Sequence, residues 1–296
     1  MAKRVEVLKT YKLYIGGQFP RTESGRYYKA VSANGAQLGN ICLASRKDFR
    51  NAVVAARKAQ DAWQNRSAFN RAQILYRIAE HLEARKLEMA DVIGKEDGIK
   101  PKDALAKVEE YIDLIVYYAG WSDKFQQIFS SVNPVASSHF NFSNVEACGV
   151  VAIICDKDSG FNAFLNAIFS AICGGNTVIV LANEIKPLSA ITLAEIMSHS
   201  DLPAGVVNIL TGKKEEVDLH AAKHKDVNAL LYIGNDLESL KSLQLESVEN
   251  LKRFHAWGIE ETLEKEFESP YHIKSFLEVK TTWHPIEQIG GSSPAY

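Results

Sequence analysis

Gly149-Val150-Val151-Ala152-Ile153-Ile154-Cys155 is apolar at every position, and the chain after it repeats the theme. An uncharged helical stretch spans 161–173, followed by a strand at 177–181, a helix at 188–199, a strand at 206–210, a helix at 215–223 and a strand at 228–233. A strand with one wet face alternates polar and apolar residues, so strands that stay apolar are covered on both faces. Each is followed by a helix, which predicts a doubly wound parallel α/β sheet. Such sheets bind ligands beyond the carboxyl ends of their strands, so the loops after Cys155, Leu181, Leu210 and Ile233 are where chemistry should sit.

Upstream, the chain is helix-rich. Phe49, Ala52, Val53, Ala56, Ala59 and Trp63 keep helical spacing over 49–63, with Asp48 placed to accept the first free N–H groups. Ile74, Ile78 and Leu82 mark a second helix, predicted to run from 69 to 94. Leu105, Val108, Ile112, Ile115 and Ala119 mark a third, ending at Gly120. Downstream, Glu260, Glu261, Glu264, Glu266 and Glu268 precede Pro270 and read as a solvated acidic linker or short surface helix. From Ile273 to Trp283 the residues alternate with period two, a strand with no local partner that must join a sheet elsewhere.

With 296 residues, 46% hydrophobic and 24% charged, the chain has ordinary globular composition. A net charge of −2 supplies no basic field for nucleic acid or an anionic membrane. Residues 159–183 are uncharged and long enough to span a bilayer, but Asn162, Asn166 and Gly174-Gly175-Asn176 divide them into a buried helix and a buried strand. Met1 to Thr10 lack the apolar core of a secretion signal. Cys42, Cys148, Cys155 and Cys173 form no CxxC pair and read as buried free thiols, for which the cytoplasm is the expected compartment.

Several dispersed motifs, in order, resemble the aldehyde dehydrogenase superfamily. They are Tyr11-Lys12-Leu13-Tyr14-Ile15-Gly16-Gly17-Gln18, Ala44-Ser45-Arg46, Tyr117-Tyr118-Ala119-Gly120-Trp121, Glu146-Ala147-Cys148-Gly149-Val150-Val151, Gly175-Asn176-Thr177-Val178, Pro187-Leu188 and Leu202-Pro203-Ala204-Gly205-Val206-Val207-Asn208. The resemblance implies a Rossmann-like NAD-binding body over 1–124 and 147–258. It also implies protruding oligomerisation strands over 125–146 and 273–287. The family's catalytic domain should begin near Gly258; here an acidic linker, 259–272, stands in its place, and Phe276 to Trp283 resembles the family's final strand.

Family chemistry implies a thiolate nucleophile, an amide oxyanion donor and a glutamate that activates water. No cysteine follows Cys173, Asp158 falls where the resemblance places the oxyanion asparagine, and the glutamate's position falls near Trp257 with no Glu-Leu-Gly-Gly run. A carboxylate repels an oxyanion, and losing one donor costs on the order of 10² to 10³ in rate. No catalytic residue is therefore assigned. Cys155, beside Asp156 and Asp158, reads as a buried strand-end thiol rather than a substitute nucleophile.

For the cofactor, the family's Lys-Pro-Ser-Glu run reads Leu181-Ala182-Asn183-Glu184, keeping the ribose-binding glutamate and losing the lysine. Its Phe-Thr-Gly-Ser run reads Tyr232-Ile233-Gly234-Asn235, with Asp236 beside it and Ser239 replacing a glycine. Glu184, Gly234 and Asn235 are the candidate cofactor residues; the alternative is that Gly234, Asn235 and Asp236 simply start a helix. The expectation is no NAD(P) binding or weak binding. His220 and His224, four apart with Glu216 nearby, read as solvated helix-face residues rather than metal ligands, and no metal is expected. Tyr27-Tyr28, Tyr117-Tyr118 and Trp121 read as core or rim aromatics.

The leading expectation is a pseudoenzyme, an oligomer that self-associates or pairs with a complete aldehyde dehydrogenase, its terminal strand adding to another subunit's sheet edge. The alternatives are an NAD(P)-dependent oxidoreductase acting on aldehydes and a nucleotide-responsive regulatory module.

Overall fold

The computed structural model describes residues 7–263 and 267–286. The chain opens with β1 (Thr10–Tyr11), β2 (Tyr27–Val31) and β3 (Gln37–Cys42), a small sheet with β3 in the middle. Ser45 starts α1 (Arg46–Gln64): its hydroxyl accepts from Asp48 N, and Asp48 in return accepts from Ser45 N at 2.8 Å. This reciprocal box satisfies two orphan N–H groups, so Asp48 lies inside the first turn instead of capping it.

The helix read over 69–94 is two helices, α2 (Ala68–Ala84) and α3 (Lys86–Asp97), broken at Arg85. Apolar spacing survives the break, which is why periodicity alone joins them. Gly98 ends α3 at φ 67°, and Pro101 begins α4 (Pro101–Trp121) at a position where its missing N–H costs nothing. Next come α5 (Phe125–Phe129), β4 (Ser131–Asn133) and β5 (His139–Ala147).

The body alternates as its apolar runs predict: β6 (Val150–Cys155), α6 (Phe161–Cys173), β7 (Thr177–Leu181), α7 (Leu188–Met197), β8 (Val207–Leu210), α8 (Lys214–Lys223), β9 (Ala229–Ile233), α9 (Leu237–Ser247) and β10 (Arg253–Trp257). The strands are all parallel, in the order β10-β9-β6-β7-β8, and β10 is a fifth strand absent from the sequence reading. Strand order reverses between β6 and β9, which opens a crevice at their carboxyl ends.

Two cores cover the two faces. Val151, Ile153, Val178 and Val180 pack with α2, α4, α6 and α7; Ala152, Ile154, Ile179 and Tyr232 pack with Phe49 and Val53 of α1, Val217 of α8 and Leu243 of α9. Buried polar groups fasten the helices to this body: Trp63 Nε1 donates to Ile172 O at 3.0 Å, and Tyr118 Oη donates to Asn166 Oδ1 at 2.8 Å. The uncharged stretch 159–183 is indeed a buried helix and strand, and among the described residues no helix is long and apolar enough to cross a membrane.

Past β10 the chain departs from expectation twice. Of the two readings of the acidic run, the short surface helix is there, as α10 (Ile259–Thr262) with Glu260 and Glu261 exposed, but the described residues around it are not a solvated linker: Thr262, Phe267 and, on α11 (Pro270–Ser275), Ile273 are buried. Trp257, Phe267 and His272 form an aromatic cluster, with ring centroids 4.6 to 5.1 Å apart. Glu264 and Glu266 of the acidic run lie outside the described residues, as does residue 287 of the expected terminal strand.

The strand read from Ile273 begins later, as β11 (Leu277–Pro285). Ser269 caps α11 and Pro270 occupies its first turn, so Ile273 points from a helix into the core against the end of α6. The partner of β11 is β5 of the same chain, antiparallel over nine residues from Leu277 opposite Ala147 to Pro285 opposite His139. The expected sheet elsewhere is therefore within the chain, in the order β11-β5-β4. Asn176 ties this arm to the body: its Oδ1 accepts from Gly149 N and its Nδ2 donates to Phe276 O, each at 3.0 Å.

Candidate functional site

Beyond Cys155, the loop from Asp156 to Gly160 runs along the carboxyl edge of the sheet. Asn183, just past β7, holds it there. Its Nδ2 donates to the carbonyls of Asp156, Lys157 and Ser159 at 2.8 to 3.2 Å, while its Oδ1 accepts from Ile185 N and Lys186 N. One amide thus fixes two loops. A cleft of about 890 Å³ opens beside them, walled by α3, α4 and the start of α6 and reached by Ile259, Thr262, Leu263 and Glu268.

Asp158 is exposed and lines this cleft, at the place expected for an oxyanion donor. Glu96 forms part of the opposite wall. Its carboxylate accepts from Leu188 N at 2.6 Å and Ser189 N at 3.1 Å, capping α7, and burial pushes its pKa up to about 7 against those hydrogen bonds. The neighbouring Asp97 holds Lys186 at 2.7 Å and Lys107 at 3.1 Å, so these cleft cations are already paired.

Cys155 borders the cleft but is only 3% exposed, and burial, with help from Asp156, pushes its thiol up to about 12. Burial does the same to Cys148 and Cys173. All four cysteines are buried and free. A thiol held this far above neutrality supplies almost no thiolate.

At the switch point stands an ion-pair network that the sequence reading missed. Lys214, at the start of α8, donates to Asp156 Oδ1 at 3.2 Å, Ser239 Oγ at 2.9 Å and Asp236 Oδ2 at 3.4 Å. Tyr232 Oη donates to Asp156 Oδ2 at 2.6 Å. Burial opposes ionisation of Asp156, but the Tyr232 and Lys157 N–H hydrogen bonds and the Lys214 cation outweigh it and hold the carboxyl below its usual range. Asp236 caps α9 by accepting from Glu238 N; the Ser239 hydroxyl first, then that N–H and Lys214, hold it at about 2. The only sequence signal for Lys214 is its place in the loop after β8.

None of the three cofactor candidates lines the large cleft. Gly234 is needed for packing, because a Cβ there would lie 2.7 Å from both Asp156 Cβ and Tyr232 Oη. Asn235 is exposed, and its Oδ1 accepts from Ile259 N at 2.9 Å, which ties it to the segment after β10. Glu184 lies at the end of β7, half-exposed; burial and then Glu215 raise its pKa. It does not line the large cleft, whereas its neighbours Asn183 and Ile185 do.

His220 and His224 are partly buried rather than solvated. They meet edge to face, centroids 5.6 Å apart, and both pack on Phe49. Glu216 turns away to bind Arg26 at 2.5 Å. Among the described residues, no three His, Cys, Asp or Glu side chains converge on a metal-sized site.

Residues 20–256 match the model described as the aldehyde dehydrogenase family. The protein DhaS of Bacillus subtilis is 31% identical over 260 residues, covering 86% of this chain and 52% of its own. The D-glyceraldehyde dehydrogenase (NADP(+)) of Thermoplasma acidophilum is 29% identical over 243 residues, covering 81% of this chain and 49% of its own. The crystal structure of an NAD-dependent aldehyde dehydrogenase from Sinorhizobium meliloti superposes with a TM-score of 0.77 at 26% identity, over 84% of this chain and 50% of that one. The chain spans about half the length of the curated relatives it matches.

Proposed function

Because the chain belongs to the aldehyde dehydrogenase family, we propose that it is a noncatalytic member whose role is assembly, as a subunit that associates with itself or with a complete dehydrogenase. The observation that carries this reading is the path of the chain after β10. Where the family's catalytic domain is expected, residues 258–263 and 267–276 instead pack back on the body, with Trp257, Phe267 and His272 in one aromatic cluster, and lead into β11. The cleft beside Asp158 then has a carboxylate where an oxyanion needs a donor, and its only thiol is protonated.

The residues present fit a dinucleotide poorly. A helix N-terminus attracts phosphate through its free N–H groups, but α9 already has the Asp236 carboxylate on it, and Lys214 is committed to Asp156 and Asp236. NAD(P) binding is therefore weak or nil. Assays with NAD⁺ or NADP⁺ and a panel of aliphatic and aromatic aldehydes should give no turnover, and calorimetry at millimolar cofactor little or no heat. Sustained reduction of cofactor by the purified chain would overturn the reading.

One observation favours a second reading, an NAD(P)-dependent aldehyde oxidoreductase: Glu184 is retained, half-exposed at the end of β7, where ribose hydroxyls could reach it. Saturable cofactor heat lost in Glu184→Ala would support binding. Binding without turnover, with altered affinity for a partner subunit, would single out a nucleotide-responsive regulatory module.

A further inference from the structure

Among the described residues, the longest open sheet edge is the outer edge of β11, nine residues against three for β4, while the edge of β8 is bridged by Tyr14. Which groups face that edge follows from the pairing with β5. Cys148 N donates to Phe276 O at 3.1 Å, and Ile286 N donates to Ser138 O at 3.0 Å. Backbone groups alternate sides along an antiparallel strand, so the even-numbered residues between them face β5. The N–H and C=O groups of Val279, Thr281 and Trp283 therefore point outward. Val279 and Trp283 are also 59% and 57% exposed, and a long open edge carrying exposed apolar side chains is an invitation to pair.

We propose that this edge pairs with the same edge of a second copy of the chain, β11 antiparallel to β11, with Thr281 on the two-fold axis. The inference rests on the assembly reading above and specifies its partner and register. Thr281 is the midpoint of Leu277–Pro285, so this register overlaps the whole strand. On one face Val279 meets the partner's Trp283, and Thr281 meets the partner's Thr281. On the other face Glu278 meets the partner's His284, and Lys280 meets the partner's Thr282. Aromatic with β-branched and acid with base are favourable cross-strand pairs. Neighbouring registers are worse: an axis at Lys280 puts two lysines face to face, and an axis at Thr282 sets Lys280 against the partner's His284. The result is one antiparallel sheet, β4-β5-β11-β11-β5-β4, joined by about six backbone hydrogen bonds.

Cysteine cross-linking of the full chain reads the register directly, since the native cysteines are all buried. Opposed residues in a hydrogen-bonded antiparallel pair lie about 5.5 Å apart at Cα, within disulfide range. Thr281→Cys should therefore form disulfide dimers under mild oxidation. Val279→Cys alone should not, because its copy lies about 13 Å along the strand, but mixed with Trp283→Cys it should. Thr281→Pro removes an N–H aimed at the open edge and leaves the bonds to β5, so it should shift sedimentation from dimer to monomer with an unchanged circular dichroism spectrum. A wild-type dimer that survives Thr281→Pro and gives no Thr281→Cys cross-link overturns this register while the assembly reading stands. Association only with a complete dehydrogenase overturns the self-pairing alone. A chain that stays monomeric and binds no dehydrogenase overturns both.

Discussion

The five-stranded body and the three-stranded arm are sheets under opposite constraints, the first of apolar strands and the second of strands that mix polar and apolar residues. Every residue of β6, β7, β8 and β9 is buried, because helices cover both faces. In β11 only Leu277 is buried, and the other eight residues are exposed. The body's stability thus comes from apolar burial, whereas the arm is held by its hydrogen-bond ladder to β5 and by Asn176. One region is buried on both faces, and the other keeps most of its terminal strand exposed.

Substitutions that respect or violate this contrast should differ in size. The largest effect is expected in the body: Ile154→Ala removes a fully buried side chain between β6 and α1 and should cost about 2–5 kcal/mol in urea unfolding. A cost below 1 kcal/mol would mean that the body is not close-packed. Phe267→Ala tests whether the segment after β10 belongs to the body; loss of the contact with Trp257 and His272 should cost about 3 kcal/mol. No change in the melting temperature would return 259–272 to the solvated linker read from its glutamates.

Asp156→Asn should cost about 2 kcal/mol, since it leaves the largely buried Lys214 ammonium without its closest carboxylate. Its signature is pH dependence. The Asp156 pKa is lowered in the fold, so its contribution is complete above the unfolded value, near 4, and lost as pH falls through the folded value. Below pH 4 the wild-type chain should converge in stability toward Asp156→Asn, and a constant gap would reject the ion pair as the cause. At the bottom of the scale, Lys280→Ala breaks an exposed pair with Glu146 on the arm and should leave thermal unfolding unchanged.

The doubly wound sheet is legible because burial on both faces leaves a local trace, an unbroken apolar run, in each strand. The terminal strand left its trace too, but its start did not. The alternation of Ile273, Ser275 and Leu277 continues smoothly into β11, and only the Ser269 cap and Pro270 turn the first residues into a helix. At the site, Asp158, Glu184, Gly234 and Asn235 could be named from motifs, whereas Lys214 and Glu96 could not, and Asn183 appeared in a motif without its role. Their roles depend on distant partners: Asn183 donates to Ser159 O, 24 residues away, Lys214 to Asp156, 58 away, and Glu96 accepts from Leu188 N, 92 away. His220 and His224 failed in the same way, since their burial against Phe49 comes from α1.

From the sequence alone came the class of fold and the alternation of the apolar strands β6 to β9 with their helices, because each is written in neighbouring residues. Only the tertiary structure decided that the acidic segment packs, that β11 pairs with β5, and that Lys214 neutralises Asp156 at the switch point. Those outcomes depend on which distant groups share a dry environment, and that is a property of the folded chain.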